Sequence, residues 1–243
     1  MQFLSYLING ISLGSVYALI ALGYTMVYGI AKMLNFAHGD VIMIGSYVVF
    51  FAFGSAGMNP VLAIVLSMVV CTVLGVTIER VAYRPLREAS PLSVLITAIG
   101  VSYLLQQVAQ LAWTSNPKSF TSVVSGLKPI SLFGGQLTIS AETVVTIIAC
   151  IVIMVVLIWF VNNTPAGHAM LAVSEDRGAA QLMGVNVNAT ISLTFAIGSA
   201  LAAVAGALLC SSYPTLQPTT GAMPGIKAFV AAVFGGIGSI PGA

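Results

Sequence analysis

The sequence predicts an all-α fold, a polytopic transmembrane helical bundle. Three observations point to it. Charged residues make up 6% of the 243, against about 25% in an ordinary soluble domain. Hydrophobic residues make up 58%, and eight Lys and Arg with six Asp and Glu are too few to coat a water-facing surface. The apolar residues also fall in long runs, most near the ~20 residues that a bilayer-spanning helix needs. Lipid is therefore the expected solvent, and residues 1–243 read as a single transmembrane domain.

About seven runs qualify or nearly qualify, at residues 3–30, 41–57, 60–83, 92–113, 142–162, 189–212 and 225–243. The first has no basic leader and is too long for the core of a cleaved signal, so it reads as a retained membrane helix. Asn59-Pro60 marks a tight turn with Pro near a helix start. Arg84-Pro85-Leu86-Arg87-Glu88 is a short basic loop. Residues 114–141 form a longer polar link with Pro117, Pro129 and Gly134-Gly135, and loose alternation at 120–140 allows a strand or two. Residues 163–188 hold the longest charged segment, and residues 213–224 are rich in Pro, Thr and Gly. Glycines crowd residues 235–242 beside Pro241, a pattern that breaks a helix and that lipid depth tolerates only where protein buries it. The runs lack the dyad alternation of a membrane barrel.

Lys and Arg distribution sets the expected orientation. Alternate loops put Lys32, Arg80, Arg84, Arg87 and Arg177 on one side, and Lys118 and Lys128 on the other. The first side is expected to be cytoplasmic, which puts the N-terminus outside. Gly10 with Gly14, and Gly198 with Ala202 and Gly206, have the four-residue spacing that lets helix backbones approach; simple packing accounts for both stripes. Cys71, Cys150 and Cys210 lie far apart inside apolar runs, without metal-ligand or disulfide spacing, and read as small packing residues. A net charge of +2 gives no reason to expect nucleic acid.

Two segments are candidates for function. Within 163–188, Ser174 is an N-cap candidate, with Glu175 and Asp176 in the following first turn. Gly184 supplies a left-handed stop and Val185 the hydrophobic contact that often follows it. This spells a helix of two to three turns, too short to stand alone. It docks on a partner protein or packs on its own bundle, and spacing does not choose between them. In the second segment, Asn35 and His38 share a face if the chain there is helical, with Gly39 beside them and Asp40 pointing elsewhere. A plain cytoplasmic loop and a polar break lining a solute path both fit. Glu79 and Arg80 read as an interfacial anchor, and Lys227 as a marker of the outer interface.

The run Ser-Glu-Asp-Arg-Gly-Ala-Ala-Gln-Leu-Met-Gly-Val-Asn at 174–186 resembles the coupling segment of ABC importer permeases. In that class a cytoplasmic helix with an acidic residue, two alanines and a later glycine fits a groove on the ATPase; here Glu175, Asp176, Ala179, Ala180 and Gly184 fall in those places. The runs Asn-Phe-Ala-His-Gly-Asp at 35–40, Glu-Arg-Val-Ala-Tyr-Arg-Pro at 79–85 and Phe-Gly-Gly-Ile-Gly-Ser-Ile-Pro-Gly at 234–242 resemble branched-chain amino acid permeases of the LivH/LivM type, nearer to LivH. The resemblance covers essentially the whole chain. It implies a multi-pass permease of the bacterial inner membrane that moves leucine, isoleucine and valine. Its implied partners are two ATPase subunits, a second LivM-like permease, an extracytoplasmic solute-binding protein and membrane lipid. It implies Asn35, His38 and Gly39 as a candidate translocation path. Urea and amide permeases share much of the pattern and form the alternative solute class. Such permeases usually continue past the Gly-Ser-Ile-Pro-Gly turn, so the stop at Ala243 is expected to reflect truncation.

Other classes fit worse. No Gly-x-Ser-x-Gly elbow or paired-His metal motif is present, and two histidines leave little acid–base chemistry. No phosphate-binding Gly-x-x-x-x-Gly-Lys-Ser/Thr loop occurs, so ATP hydrolysis is expected on separate subunits. A secondary carrier or channel usually needs intramembrane ionisable groups, and the helix interiors are expected to hold almost none. Neither cofactor nor metal is expected.

Overall fold

The computed structural model describes residues 2–132, 137–239 and 242. The chain opens with α1 (Gln2–Ala31), followed by α2 (His38–Val49) with a π-helical extension, Phe50–Ser55. Next comes α3 (Pro60–Ile78), a π stretch over Glu79–Tyr83 and a 3-10 turn over Arg84–Leu86, and then α4 (Pro91–Trp113). Short strands β1 (Lys118–Ser119), β2 (Ile130–Leu132) and β3 (Leu137–Ile139) lead to α5 (Ala141–Asn163). Then come α6 (Pro165–Glu175), α7 (Arg177–Leu182), α8 (Val187–Ser212), β4 (Thr215–Leu216) and α9 (Ala222–Gly235).

Among the described residues, six helical spans are long and apolar enough to cross a bilayer, and Ala222–Gly235 is a shorter apolar helix. Fourteen residues rise about 21 Å, short of the ~30 Å hydrocarbon core. The expected seventh segment is therefore a partial span. Residues 240, 241 and 243, at its expected end, lie outside the described residues, as do 133–136.

The helix starts follow from local chemistry. The side chains of Asn59, Ser90, Ser140, Thr164, Asp176 and Asn186 cap α3 to α8, each accepting a hydrogen bond from a first-turn N–H. Pro60, Pro91 and Pro165 occupy the first helical position, where the missing N–H costs nothing. The cap residues of α2 and α9, Ala37 and Gly221, make no such bond.

α8 forms the centre of the bundle, against α1, α2 and α3. Its expected small-residue stripe does pack. Gly198, Ala202 and Gly206 are all buried, and a Cβ on Gly206 would sit 2.6 Å from the Ile42 carbonyl oxygen. The Gly10–Gly14 pair does not: nothing lies within 4 Å of a Cβ added to either. Both lie on the exposed side of α1, while Ser12 and Val16 on its other side are buried, so the spacing alone was misleading there. On the far face, α5 exposes Ile148, Ile151, Val152, Val155, Val156 and Trp159, as lipid contact requires.

Hydrogen bonds sort the loops onto two sides. Arg177 donates to the Ala31 carbonyl, and Arg87 to the Asn188 side chain. These contacts gather Lys32, Arg87 and Arg177 at one end. At the other, β1 pairs antiparallel with β4, and the Val123 N–H donates to Ser211 Oγ at 3.2 Å. Lys118 belongs to that end. The split matches the charge asymmetry read from the sequence. A strand pair expected within 120–140 is present as β2 with β3; the β1–β4 pair joins residues about a hundred positions apart and has no local signal.

Glu79 corrects the anchor reading. It is fully buried, pairs with Arg87 and accepts from Ser192 Oγ at 2.6 Å. Arg80 alone is exposed. The π stretch turns both Glu79 and Tyr83 inward, which is how one extra residue per turn re-aims side chains.

Candidate functional site

Between α1 and α2, residues 32–37 are not helical. They double back along α1, because the ring of His38 lies against Gly23 and Tyr24, two turns above the end of α1. The Tyr24 and His38 rings are 4.7 Å apart, and a Cβ on Gly23 would overlap the imidazole. Between α8 and α9, residues 213–221 do the same from the opposite side. The two returning segments meet. A Cβ on Gly39 would lie 2.6 Å from the Gly221 carbonyl oxygen, and one on Gly225 3.1 Å from the Gly39 Cα. A Cβ on Gly29 would lie 3.1 Å from the Gly238 Cα, so α9 runs from this crossing to the basic end.

Two half-length helices thus start at the same depth inside the bundle and run to opposite sides. Of α2 to α9, these two lack a side-chain cap. Backbone carbonyls take their first N–H groups instead: His38 N–H donates to Asn35, Asp40 and Val41 N–H to Ala37, and Ala222 N–H to Thr219. Unwound backbone at membrane depth is tolerated where protein buries it or it lines a cavity. Of the expected break at residues 235–242, the described residues 236–239 form a turn at the basic end, with left-handed Gly236 and Gly238.

Asn35, His38 and Gly39 all gather at this crossing, but not on one helical face. The helix begins only at His38. Asn35, still in the returning segment, accepts from the Tyr83 hydroxyl at 2.9 Å. His38 is buried, and both ring nitrogens lack a hydrogen-bond partner. Asp40 opens into a side recess of about 270 Å³ between α2, α4 and α9. Gln106 Nε2 donates to Asp40 Oδ1 at 2.9 Å and to Ser102 Oγ at 3.3 Å. The helix interiors therefore do carry ionisable groups, contrary to expectation.

The second candidate site is α7. It has six residues, fewer than expected, and its cap is Asp176 rather than Ser174. Ser174 lies inside α6 and donates to the Leu171 carbonyl at 2.7 Å; Glu175 is the last residue of α6. Asp176 adopts φ −149°, ψ 114° and accepts from the Ala179 N–H at 3.0 Å. An aspartate caps as well as a serine, and the extended backbone sits at Asp176. The C-terminal stop is as read. Gly184 has φ +86°, its N–H bonds to the Gln181 carbonyl at 3.0 Å, and the Val185 N–H bonds to the Ala180 carbonyl at 3.0 Å. This is the paired closure of a Schellman motif.

α7 presents two faces. Ala180 is buried and Val185 half-buried against the bundle. Glu175, Asp176, Ala179 and Gly184 are exposed, and Leu182 and Met183 are 90% and 84% exposed. Arg177 ties the helix to the end of α1, and burial, with Arg87 adding to it, holds its guanidinium below the ordinary value. Arg87 and Arg177 both line a recess of about 610 Å³ beside α7. Among the described residues no cluster of His, Cys, Asp and Glu has metal-binding geometry.

The chain matches the family described as "Branched-chain amino acid transport system / permease component" over residues 6–243. It belongs to that permease family. The high-affinity branched-chain amino acid transport system permease protein BraD of Pseudomonas aeruginosa is 44% identical, over 100% of this chain and 82% of the relative. LivH of Escherichia coli K12, described in the same words, is 43% identical over the same shares. A probable branched-chain amino acid transport permease LivH of Methanocaldococcus jannaschii is 31% identical, over 93% of this chain and 71% of the relative. No solved structure gives a significant match.

Sequence reading of the permease missed the Asp40 recess because Asp40 was assigned to a different face from His38. A signal was present: Ser102 and Gln106 are polar residues four apart inside an apolar run, so they share a helix face. The Glu79–Arg87–Ser192 cluster joins three distant segments, and no local spacing announces it. The permease is a multi-pass membrane bundle and a transport protein rather than an enzyme.

Proposed function

We propose that this permease is the transmembrane subunit of an ATP-driven ABC importer carrying leucine, isoleucine and valine across the bacterial cytoplasmic membrane. The observation that carries this reading is similarity over the whole of this chain, and 82% of each relative, at 43–44% identity to high-affinity branched-chain amino acid permeases. The same similarity disfavours urea or amides as the solute.

The geometry supports the reading. By the positive-inside rule the basic end faces the cytoplasm. There α7 holds exposed Leu182 and Met183 away from lipid, on a helix too short to persist without support. An ATPase groove is the partner assigned to it. Glu175 and Ala179 reach that groove, while Asp176, Ala180 and Gly184 build the helix that presents them. Two ATPase subunits supply the hydrolysis, a second LivM-like permease completes the pathway, and an extracytoplasmic binding protein delivers solute to the opposite end. Nucleotide binding draws the ATPases together, α7 moves with them, and the bundle shifts between inward- and outward-open populations. Asn35, His38 and Gly39 lie on the path where the half-helices cross, and no covalent chemistry is required of the chain.

The test uses the assembled transporter in proteoliposomes. Glu175→Ala and Gly184→Ala are expected to insert normally yet uncouple ATP hydrolysis from leucine uptake. Unchanged uptake in both variants contradicts the coupling role of this segment.

A further inference from the structure

Asp40 is the carboxylate in this chain whose position calls for an explanation. It is 2% exposed and lies near the depth where the two half-helices begin. A buried charge is costly without a compensating partner, and an ionisable residue inside a membrane bundle marks a solute or ion pathway. The Asp40 carboxylate is not paired with a cation: among the described residues, the one ion pair is Arg87 with Glu79. It accepts a hydrogen bond from the neutral amide of Gln106.

The surroundings specify what completes the site. The recess of about 270 Å³ is slightly below the ~300 Å³ lower end of drug-sized pockets, the scale of one small solute. Asp40, Ser102, Tyr103 and Gln106 supply its polar lining, and Phe36, Ile99 and Ile226 its apolar lining. Gln106 spends its amide N–H groups on Asp40 and Ser102. Its carbonyl oxygen is therefore the group left to face a donor. Two acceptors beside an aliphatic wall match a molecule with a cationic donor next to a branched hydrocarbon. A uniformly polar neutral amide offers neither a charge for Asp40 nor an apolar surface for the apolar lining.

We propose that this recess is an intramembrane subsite that binds the α-ammonium group of the solute on Asp40 and Gln106, with its aliphatic side chain against Phe36, Ile99 and Ile226. The proposal rests on the reading of the chain as an importer of branched-chain amino acids. In that cycle the solute leaves the binding protein and pauses at mid-membrane. Asp40 then selects for an amino group a second time, independently of the binding protein.

The experiment uses the full permease–ATPase assembly, with two readouts. In proteoliposomes with the binding protein, Asp40→Asn and Gln106→Leu are expected to lower leucine uptake at least tenfold, with membrane insertion unchanged. In detergent without the binding protein, radiolabelled leucine bound to the wild-type assembly is expected to be displaced by leucinamide, which keeps the ammonium group. It is not expected to be displaced by 4-methylpentanoate, which lacks that group. If wild type imports no leucine, the importer reading fails and the subsite with it. If wild type imports leucine and Asp40→Asn matches it, the subsite alone is wrong. If the variants do not insert, the competition on wild type still decides, because equal displacement by the two analogues overturns the ammonium assignment.

Discussion

At the residue scale, two positions separate tertiary packing from local preference. Glu79 holds Arg87 and Ser192 together inside the bundle. Replacing it with alanine leaves the Arg87 guanidinium largely buried without its partner, which costs about 3–5 kcal/mol. Arg80→Ala, one residue on and exposed, is expected to stay within about 0.5 kcal/mol. Chemical denaturation of the detergent-solubilised protein checks both; equal effects would mean that the ion pair does not hold these segments together. Gly221 gives the second contrast. A Cβ there would overlap the Gly39 carbonyl, so Gly221→Ala is expected to destabilise by about 1–3 kcal/mol through overpacking. Gly10→Ala meets open space and gains up to about 1 kcal/mol of helix propensity. Opposite shifts in Tm are the expected result. In sequence, Gly10 and Gly221 look alike in kind, and Gly10 even sits in the better packing motif. What separates them is the partner backbone, which lies 182 positions away for Gly221 (221 − 39) and is not encoded locally.

At the element scale, α7 depends on its ends. Six residues do not form a stable helix in isolation, so the Asp176 cap and the Gly184 closure carry it. Gly184→Ala places an L residue at φ +86°, at a cost of about 1–2 kcal/mol. The expected consequence is a frayed α7, read as faster tryptic cleavage after Arg177 in the folded protein; an unchanged cleavage rate counts against the closure. The C-terminal end of α7 was legible because a glycine stop followed by an apolar residue is a local pattern. Its start was displaced by two residues because Ser174, Glu175 and Asp176 are all near good cap positions, and only the extended backbone at Asp176 selects among them. The half-helices were legible as breaks, through the polar residues at 35–40 and the Pro, Thr and Gly at 213–224. Their meeting was not, since each break reads separately as an ordinary loop.

At the scale of the whole molecule, composition alone carried the membrane bundle, and the charge asymmetry carried its two sides. Both survive because they depend on solvent and not on particular contacts. Depth is the property that sequence did not convey. α2 and α9 begin inside the bundle rather than at its surface, and that placement turns a loop motif into a candidate transport path. It also brings Asp40 to the recess, and it leaves α7 as the element that extends Leu182 and Met183 beyond the bundle at the basic end. In the proposed function, ATP hydrolysis on partner subunits drives branched-chain amino acids through this chain. Its most direct test is uptake of radiolabelled leucine into proteoliposomes holding this permease with its partner permease, ATPases and binding protein. The expected result is accumulation that requires ATP, is competed by isoleucine and valine, and is untouched by excess urea or acetamide. Uptake that persists without ATP, or that urea competes, would contradict it.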